Sequence, residues 1–412
     1  MDALLLRTLC AGLLVNIHGS ELTQSAVSFS TAVLSTVAEA LQLNTQALLT
    51  QAAEKIITVQ ANGKSAENDY ADKPNEVKAV IDEMENLLRS QQIAVEIAAN
   101  LCCTDDDEYE EIDSEESVSS ADEMVCDVEM ETENGASLSP SCLPEEIHQA
   151  FVKFNILHHV LNKIECPELP ADNQLLVTDD KLKKGVHQLR VHALFTLANI
   201  ISTLDLEAIG GPQCLYDICH GLVKLGGLHT GGDLDLEYVE AVSSALRAVV
   251  QKIAESKMTK FSELMSTESM SMFEMMRHCP RHEIRVNAVR ILSSIGSALL
   301  STPEAYKDLK PIGLALVSMA SQDKDLHVVA EALDAIFDIF AEDDVNPIMN
   351  EIGLLDQLRK ILVALKPQAT ASREVKRKFK DPVISTAKLN LVRFIQYKSN
   401  VTTQHTAMSC DK

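Results

Sequence analysis

Residues 190–200 read RVHALFTLANI, and residues 285–295 read RVNAVRILSSI. Laid over one another, they share Arg, Val, Ala, an aliphatic residue, Leu, a small residue and Ile. AEALDAIFDI (330–339) keeps the Ala-Leu-x-x-Ile-x-x-Ile frame, and KLNLVRFI (388–395) keeps a weaker version of it. AVEIAANL (94–101) and AGLLVNI (11–17) end as ALFTLANI does, with small or aliphatic residues, then Asn, then Ile or Leu. Apolar residues at three- and four-residue spacing mark each stretch as one face of a helix.

The spacings turn these helices into a repeat. Asn16 to Asn100 is 84 residues, Ala193 to Ala288 is 95 and Ala288 to Ala332 is 44. A period in the forties with two helices per unit is the mark of HEAT and armadillo arrays. Each helix pair buries one face against the next, so the array grows as a solenoid. The fold class expected is all-α, an armadillo/HEAT-type α-solenoid with a right-handed superhelix. Partner helices are expected at 22–43, 43–60, 144–164, 212–225, 235–256, 303–320 and 347–365. Pro144 and Pro303, each followed by Glu, are read as first helical residues. Stretches 61–73 and 165–180 read as loops. The opening MDALLLRTLCAGLLVNIHG carries Asp2 and Arg7 where a signal peptide would have a basic start and a clean apolar run, so it is read as a helix that begins partway through a repeat.

Asn100 to Asn199 is 99 residues, too long for two units unless something is inserted. The insertion is CCTDDDEYEEIDSEESVSSADEMVCDVEMETENG, residues 102–135. Fifteen Asp and Glu residues fall between Asp105 and Glu133, and no Lys or Arg occurs from Ser90 to Val152. The net charge of −25 is therefore concentrated there. Low hydrophobicity and high charge do not offset the entropy of ordering, so the stretch is expected to be disordered by itself. The organisation expected is helical repeats at 1–103, an acidic disordered insertion at 104–143, repeats at 144–397 and a flexible tail at 398–412. Such an insertion attracts a basic partner and argues against direct nucleic-acid binding, which needs basic stripes. Tyr109, Ile112, Val118, Met124, Val125 and Met130 give the peptide something to dock with beyond charge. Acid-flanked serines such as Ser114, Ser117, Ser119 and Ser120 would add charge of the same sign if phosphorylated.

Other features read as structural. Aromatic residues make up 4% of the chain and Trp is absent, which suits helices rather than strands. The ten cysteines form no CxxC pair; Cys10, Cys214 and Cys219 sit in apolar helical segments and are read as reduced core thiols. No apolar run reaches the ~18–20 residues that span a bilayer, so no membrane is expected. GGLHTGG (226–232) lacks the Lys-Ser/Thr of a phosphate loop. No catalytic constellation, cofactor motif or metal ligand set is present, and His158-His159 and Cys214…Cys219-His220 are incidental. Arg190 and Arg285 open their helices at matched positions and are expected to pair with acids in neighbouring repeats. The Met-rich stretch 258–276 reads as a core helix, and REVKRKFK (373–380) either as a nuclear-localisation or anionic-partner patch or as a solvated loop before the last helix. Asn16, Asn100 and Asn199 occupy the place where an amide on the concave face of an armadillo array bonds the backbone of an extended peptide, since an amide donates and accepts at once. Helix-end caps are the equal alternative.

With the mixed signatures ALFTLANI and EIRVNAVRILSSIG and the loop DDDEYEEIDSEESVSSADEMVCDVEMETE in place, the chain resembles the family of HEAT repeat-containing protein 3, the symportins. The resemblance covers nearly all residues and corresponds to the C-terminal portion of a full-length member. It implies a binding adaptor, not an enzyme. Its partners would be basic ribosomal proteins of the large subunit, the pair that binds 5S ribosomal RNA. The chain would chaperone them between cytoplasm and nucleus in ribosome biogenesis. One cargo's peptide would lie in the groove at Asn16, Asn100 and Asn199. The other would dock on the acidic loop at Asp105, Asp106, Asp107, Glu108, Tyr109, Glu110, Glu111, Ile112, Asp113, Glu115 and Glu116. Family members begin with further repeats and a segment that recruits a transportin-type receptor. Met1 here falls within a repeat, so receptor binding is expected to be lost or weakened. The competing expectation is a general solenoid scaffold with the loop as a solubility element.

Overall fold

The structure is a computed structural model. It describes residues 2–18, 27–63, 73–102, 143–165, 179–227, 235–257, 267–365 and 381–410. The acidic stretch other than Leu143, the basic run 373–380 and most of GGLHTGG lie outside the described residues.

No strand occurs among the described residues. The helices in chain order are α1 (Asp2–His18), α2 (Val27–Gln42), α3 (Thr45–Gly63), α4 (Lys73–Cys102), α5 (Glu145–Lys153), α6 (Ile156–Ile164), α7 (Asp180–Thr203), α8 (Leu206–Ile209) and α9 (Gly211–Gly227). They continue as α10 (Leu236–Glu255), α11 (Thr267–Arg277), α12 (His282–Leu299), α13 (Leu309–Gln322), α14 (Leu326–Phe340), α15 (Asn346–Glu351), α16 (Leu354–Ala364) and α17 (Pro382–Cys410). The chain divides into two compact units, Met1–His159 with Glu168–Leu182 and Ser202–Leu204, and Val160–Pro167 with Lys183–Ile201 and Asp205–Lys412. The array read as one continuous domain in sequence is thus two units by its contacts.

Each unit is a stack of helix pairs, the armadillo/HEAT-type α-solenoid arrangement. In the first, α1, α2 and α3 all pack on the long α4, and α5 packs on α2. Leu4, Ala11 and Val15 of α1 and Val95, Ala98 and Leu101 of α4 are buried at this apolar joint. A buried amide locks the unit. Gln91 accepts from the Thr45 hydroxyl at 2.8 Å and donates to the carbonyls of Ala40 (3.2 Å) and Leu43 (3.0 Å). One side chain thereby ties α4 to the end of α2 and the start of α3.

In the second unit α10, α12, α14 and α17 form a ladder, each packed on the next. The partners α9, α11, α13 and α16 back it. The period appears in the side-chain bonds between rungs. Glu240–Arg281, Arg290–Glu331 and Lys310–Glu351 are each 41 residues apart. Aspartates start the rungs: Asp235 caps α10 by accepting from Tyr238 N at 3.1 Å, and Asp325 caps α14 through His327 N at 2.9 Å. Gly296 on α12 lets Ile339 of α14 approach so closely that a Cβ would collide with it.

Several expectations shift. Pro144 sits at the N-cap with the helix starting one residue on, and Pro303 opens a 3₁₀ turn (Pro303–Asp308) instead of an α-helix. The last helix runs to Cys410, past residue 397 where a flexible tail was expected. Lys398 is fully buried, donating to the Glu342 carbonyl (2.9 Å), Asp343 Oδ1 (3.1 Å) and Asn346 Oδ1 (2.9 Å). A lysine so satisfied anchors the helix where composition suggested fraying. Cys10 is exposed, because it lies on the side of α1 turned away from α4, whereas Cys219 is a core thiol whose pKa burial pushes up to about 12. Met272 and Met276 are buried as expected of a core helix.

Candidate functional site

Rungs α10, α12 and α14 leave an open polar trough of about 620 Å³ between them in the second unit. Arg247, Gln251 and Glu255 of α10 line one wall. Arg290, Ser294 and Ser297 of α12 form the floor, and Glu331, Asp334 and Asp338 of α14 form the other wall. Residues three and four apart share a helix face, so Asp334 and Asp338 stand one above the other beside Glu331.

The charges are arranged, not scattered. Arg290 donates to Glu331 through Nε (3.1 Å) and Nη2 (2.6 Å), a fork-shaped pair that fixes both chains. Arg247 is half-buried beside them, and its Nε has no hydrogen-bond partner. Burial and then the neighbouring Arg290 lower its pKa, with Glu331 pulling the other way. On the facing wall Asp334 and Asp338 are open to solvent on one side. Desolvation by the trough, with Glu331 and Asp338 adding repulsion, pushes Asp334 up to about 6, and desolvation also raises Asp338. The trough therefore has an unsatisfied donor on one wall and under-compensated carboxylates on the other. Hydroxyls lie between them. Chemically its open carboxylates suit a Lys or Arg side chain, and its hydroxyls suit a polar group beside that side chain.

The asparagines singled out in sequence fall as follows. Asn16 on α1 and Asn100 on α4 are exposed. The two helices pack on one another, with Asn86 Nδ2 bonded to Asp2 Oδ1 at 3.0 Å. Asn199, on α7, is half-buried and already engaged. It belongs to the second unit, the other two to the first. The acidic-loop residues Asp105 to Glu116 lie outside the described residues. Of the paired arginines, Arg285 holds Asp323 through both ends of its fork (2.7 and 3.0 Å) and also reaches the Cys279 carbonyl (2.8 Å). Its pKa is raised by the Asp323 bond. Arg190 departs from expectation: it donates to the Tyr238 hydroxyl at 3.1 Å and lies over that ring, so its partner in the next rung is aromatic.

Sequence reasoning missed the trough because it followed a residue type and not a column. In the frame shared by ALFTLANI, AVRILSSI and ALDAIFDI, the Asn199 column holds Ser294 and Asp338, and the Phe195 column holds Arg290 and Asp334. The periodic signal was present; the changing letters hid it. Among the described residues no group of three or more His, Cys, Asp or Glu is placed to hold a metal ion, and no helix is long and apolar enough to cross a membrane.

Residues 145–402 match the model of the family described as SYO1-like, TPR repeats. The chain belongs to that family. It is 29% identical over 440 residues to HEAT repeat-containing protein 3 of Mus musculus, covering 97% of this chain and 64% of the relative. Against the Homo sapiens protein of the same name it is 29% identical over 447 residues, covering 97% and 63%. It thus spans less than two thirds of the length of these relatives. A solved engineered protein, 16% identical, aligns over 96% of this chain and 83% of its own with a TM-score of 0.40, too low to bear on the site. Family and architecture make the SYO1-like chain a repeat scaffold, not an enzyme.

Proposed function

We propose that the chain is an adaptor and chaperone for newly made basic ribosomal proteins of the large subunit, the pair that binds 5S ribosomal RNA. It would accompany them from cytoplasm to nucleus during ribosome biogenesis. The observation that carries this reading is the run of fifteen acids between Asp105 and Glu133, set without a base inside a chain of the SYO1-like family. A ribosomal protein surface shaped for RNA is densely positive. Away from RNA it self-repels and binds other anions without selectivity. An acidic, partly apolar strand offers the charge of RNA on a protein tether. Asp105, Asp106, Asp107, Glu108, Tyr109, Glu110, Glu111, Ile112, Asp113, Glu115 and Glu116 would form that contact. Asn16 and Asn100 in the first unit would bond the backbone of an extended cargo segment, and Asn199 and the trough at Arg247, Asp334 and Asp338 would each offer such contacts in the second.

The alternative is a general scaffold whose loop only aids solubility. Capture of the two 5S RNA-binding proteins by the intact chain, and by one with 104–143 replaced with a Gly/Ser linker, separates the two at low and high salt. The adaptor reading expects capture that vanishes with the linker and weakens with salt, because exposed charges are screened beyond roughly 8–10 Å. Equal capture by both forms overturns it in favour of the scaffold.

A further inference from the structure

The basic run REVKRKFK (373–380) has no part in the adaptor reading. It holds five bases, Arg373, Lys376, Arg377, Lys378 and Lys380, against one acid, Glu374. It leads directly into α17, whose first residues are pinned beside α14. Asp381 caps α17 by accepting from Val383 N at 2.9 Å, and its other carboxylate oxygen lies 4.0 Å from His327 Nε2 in the first turn of α14. His327 stands at the foot of the acidic wall of the trough. Offsets of four, seven and eleven residues place Glu331, Asp334 and Asp338 on the same face of α14 as His327. His327, Asp334 and Asp338 are exposed on that face. Glu331 is held by Arg290, and the charges acting on Asp334 are those of Glu331 and Asp338, both acids. Two carboxylates are thus left to meet a cation, on the same helix that holds the end of a basic run.

We infer that this run is the trough's own occupant in the chain without cargo, drawn out along the wall with Lys378 on Asp334 and Lys376 on Asp338. The inference rests on the reading of the trough as a place for a basic cargo segment and adds how that place is regulated. Charge, length and register name the occupant. Asp334 lies ~10 Å and Asp338 ~16 Å along α14 from His327, at a rise of about 1.5 Å per residue. An extended chain leaving Asp381 reaches ~10 Å at Lys378 and ~17 Å at Lys376, at a rise of about 3.4 Å per residue. Alternate side chains of an extended strand share one side, so Lys376, Lys378 and Lys380 face the same way. Their ~7 Å spacing meets the ~6 Å between Asp334 and Asp338. The fifteen residues from 366 to 380 leave slack for this path back to α16. Tethering sets the run at an effective concentration on the order of 1 mM at the trough, so weak ion pairs suffice to hold it. A basic cargo segment must displace it, and one that binds no better than the run is kept out.

Two measurements on the full chain without cargo test this. Zero-length carbodiimide coupling of dilute protein, with unlabelled and heavy-isotope chains mixed, should join Lys378 to Asp334 and Lys376 to Asp338 within one copy, as read by peptide mass spectrometry. Amine acetylation should modify Lys376 and Lys378 roughly threefold more slowly than in a chain carrying both Asp334→Asn and Asp338→Asn, the protection that two exposed ion pairs give. Asn keeps the size of Asp and removes a repulsion, so that variant should fold. High salt should erase the difference in rate, because pairs at the surface are screened. Coupling that yields no link from the run to Asp334 or Asp338, including one that joins it to the acids between Asp105 and Glu133 instead, overturns the proposal. So do equal acetylation rates in the two proteins. Neither measurement involves cargo or the linker that replaces 104–143, so its failure is distinct from failure of the capture experiment.

Discussion

Joints in the two units are built on the same frame and sealed by different chemistry. In the first unit, the α1–α4 joint is apolar, the neutral amide of Gln91 is the buried polar lock between α4 and the α2–α3 turn, and the α1–α2 ion pair Arg7–Glu39 stands in solvent with both side chains about half exposed. Where α12 meets its neighbours, Arg285 and Asp323 are 13% and 8% exposed, and Asn287 reaches the hydroxyls of Ser243 and Ser244 at 3.0 and 3.1 Å. The repeat dictates only the apolar positions that stack one rung on the next. Positions the stacking leaves open differ between the units: Leu6, Leu13 and Ile17 of α1 are exposed in the first, and the second carries a charged trough.

Four substitutions break or sharpen that contrast. Arg285→Ala should cost about 3 kcal/mol, because it strands a nearly buried carboxylate. Lys398→Met should cost about 2–3 kcal/mol, since it deprives three acceptors of one charged donor. Loss of helix signal ahead of the main transition would place the damage in α17. Gln91→Leu keeps the size of the side chain but removes the amide's hydrogen bonds to the Thr45 hydroxyl and two carbonyls, for about 1–2 kcal/mol. An unchanged melting temperature would show that the amide is not the lock of the first unit. Arg7→Ala should cost under ~1 kcal/mol, as exposed pairs do. Denaturant midpoints of Arg7→Ala and Arg285→Ala, compared side by side, measure the difference between a surface ionic joint and a buried one.

A further small effect is the most informative about the trough. The folded-state pKa of Asp334, about 6, lies above the ordinary aspartate value. The folded chain therefore binds more protons than the unfolded chain between about pH 4 and pH 6, and stability falls as pH rises through that window. With one side of the carboxyl in solvent, the change is discounted to about 1 kcal/mol or less. Asp334→Asn should remove this slope and leave the chain slightly more stable at neutral pH, measured by melting across the range. A lysine-bearing peptide should bind the wild-type trough more tightly at pH 7 than at pH 5, and Asp334→Asn should flatten that difference. A slope that persists in Asp334→Asn would assign the proton to another group, with Asp338 the first to test.

Most of the repeat could be read directly. Ala288, Leu292 and Ile295 recur at Ala332, Ile336 and Ile339, and all six are buried. The Arg285 pairing was also legible, since an arginine that opens a HEAT-like helix has an acid within reach of the next rung. Arg190 was not, because its matched position promised a carboxylate, and only the approach of α10 shows that Tyr238 fills the space. Lys398 reads as a solvated tail residue until the carbonyl of Glu342, from a segment far upstream, is brought against it.

What the sequence by itself determined was the class of fold and the location of charge. Apolar spacing within a helix and a period between helices are local, additive signals, and a run of acids without bases needs no structure to be seen. Which open positions meet was decided by tertiary structure alone. Arg247, Arg290 and Asp334 lie on different rungs, and no spacing rule joins an arginine on α10 to an aspartate on α14. Packing brings them around one open trough, and the partial desolvation there, with the repulsion of neighbouring acids, raises the pKa of Asp334. The same holds at α1. Its leucines are alike in sequence, and only the placement of α4 separates those that are buried from those left bare.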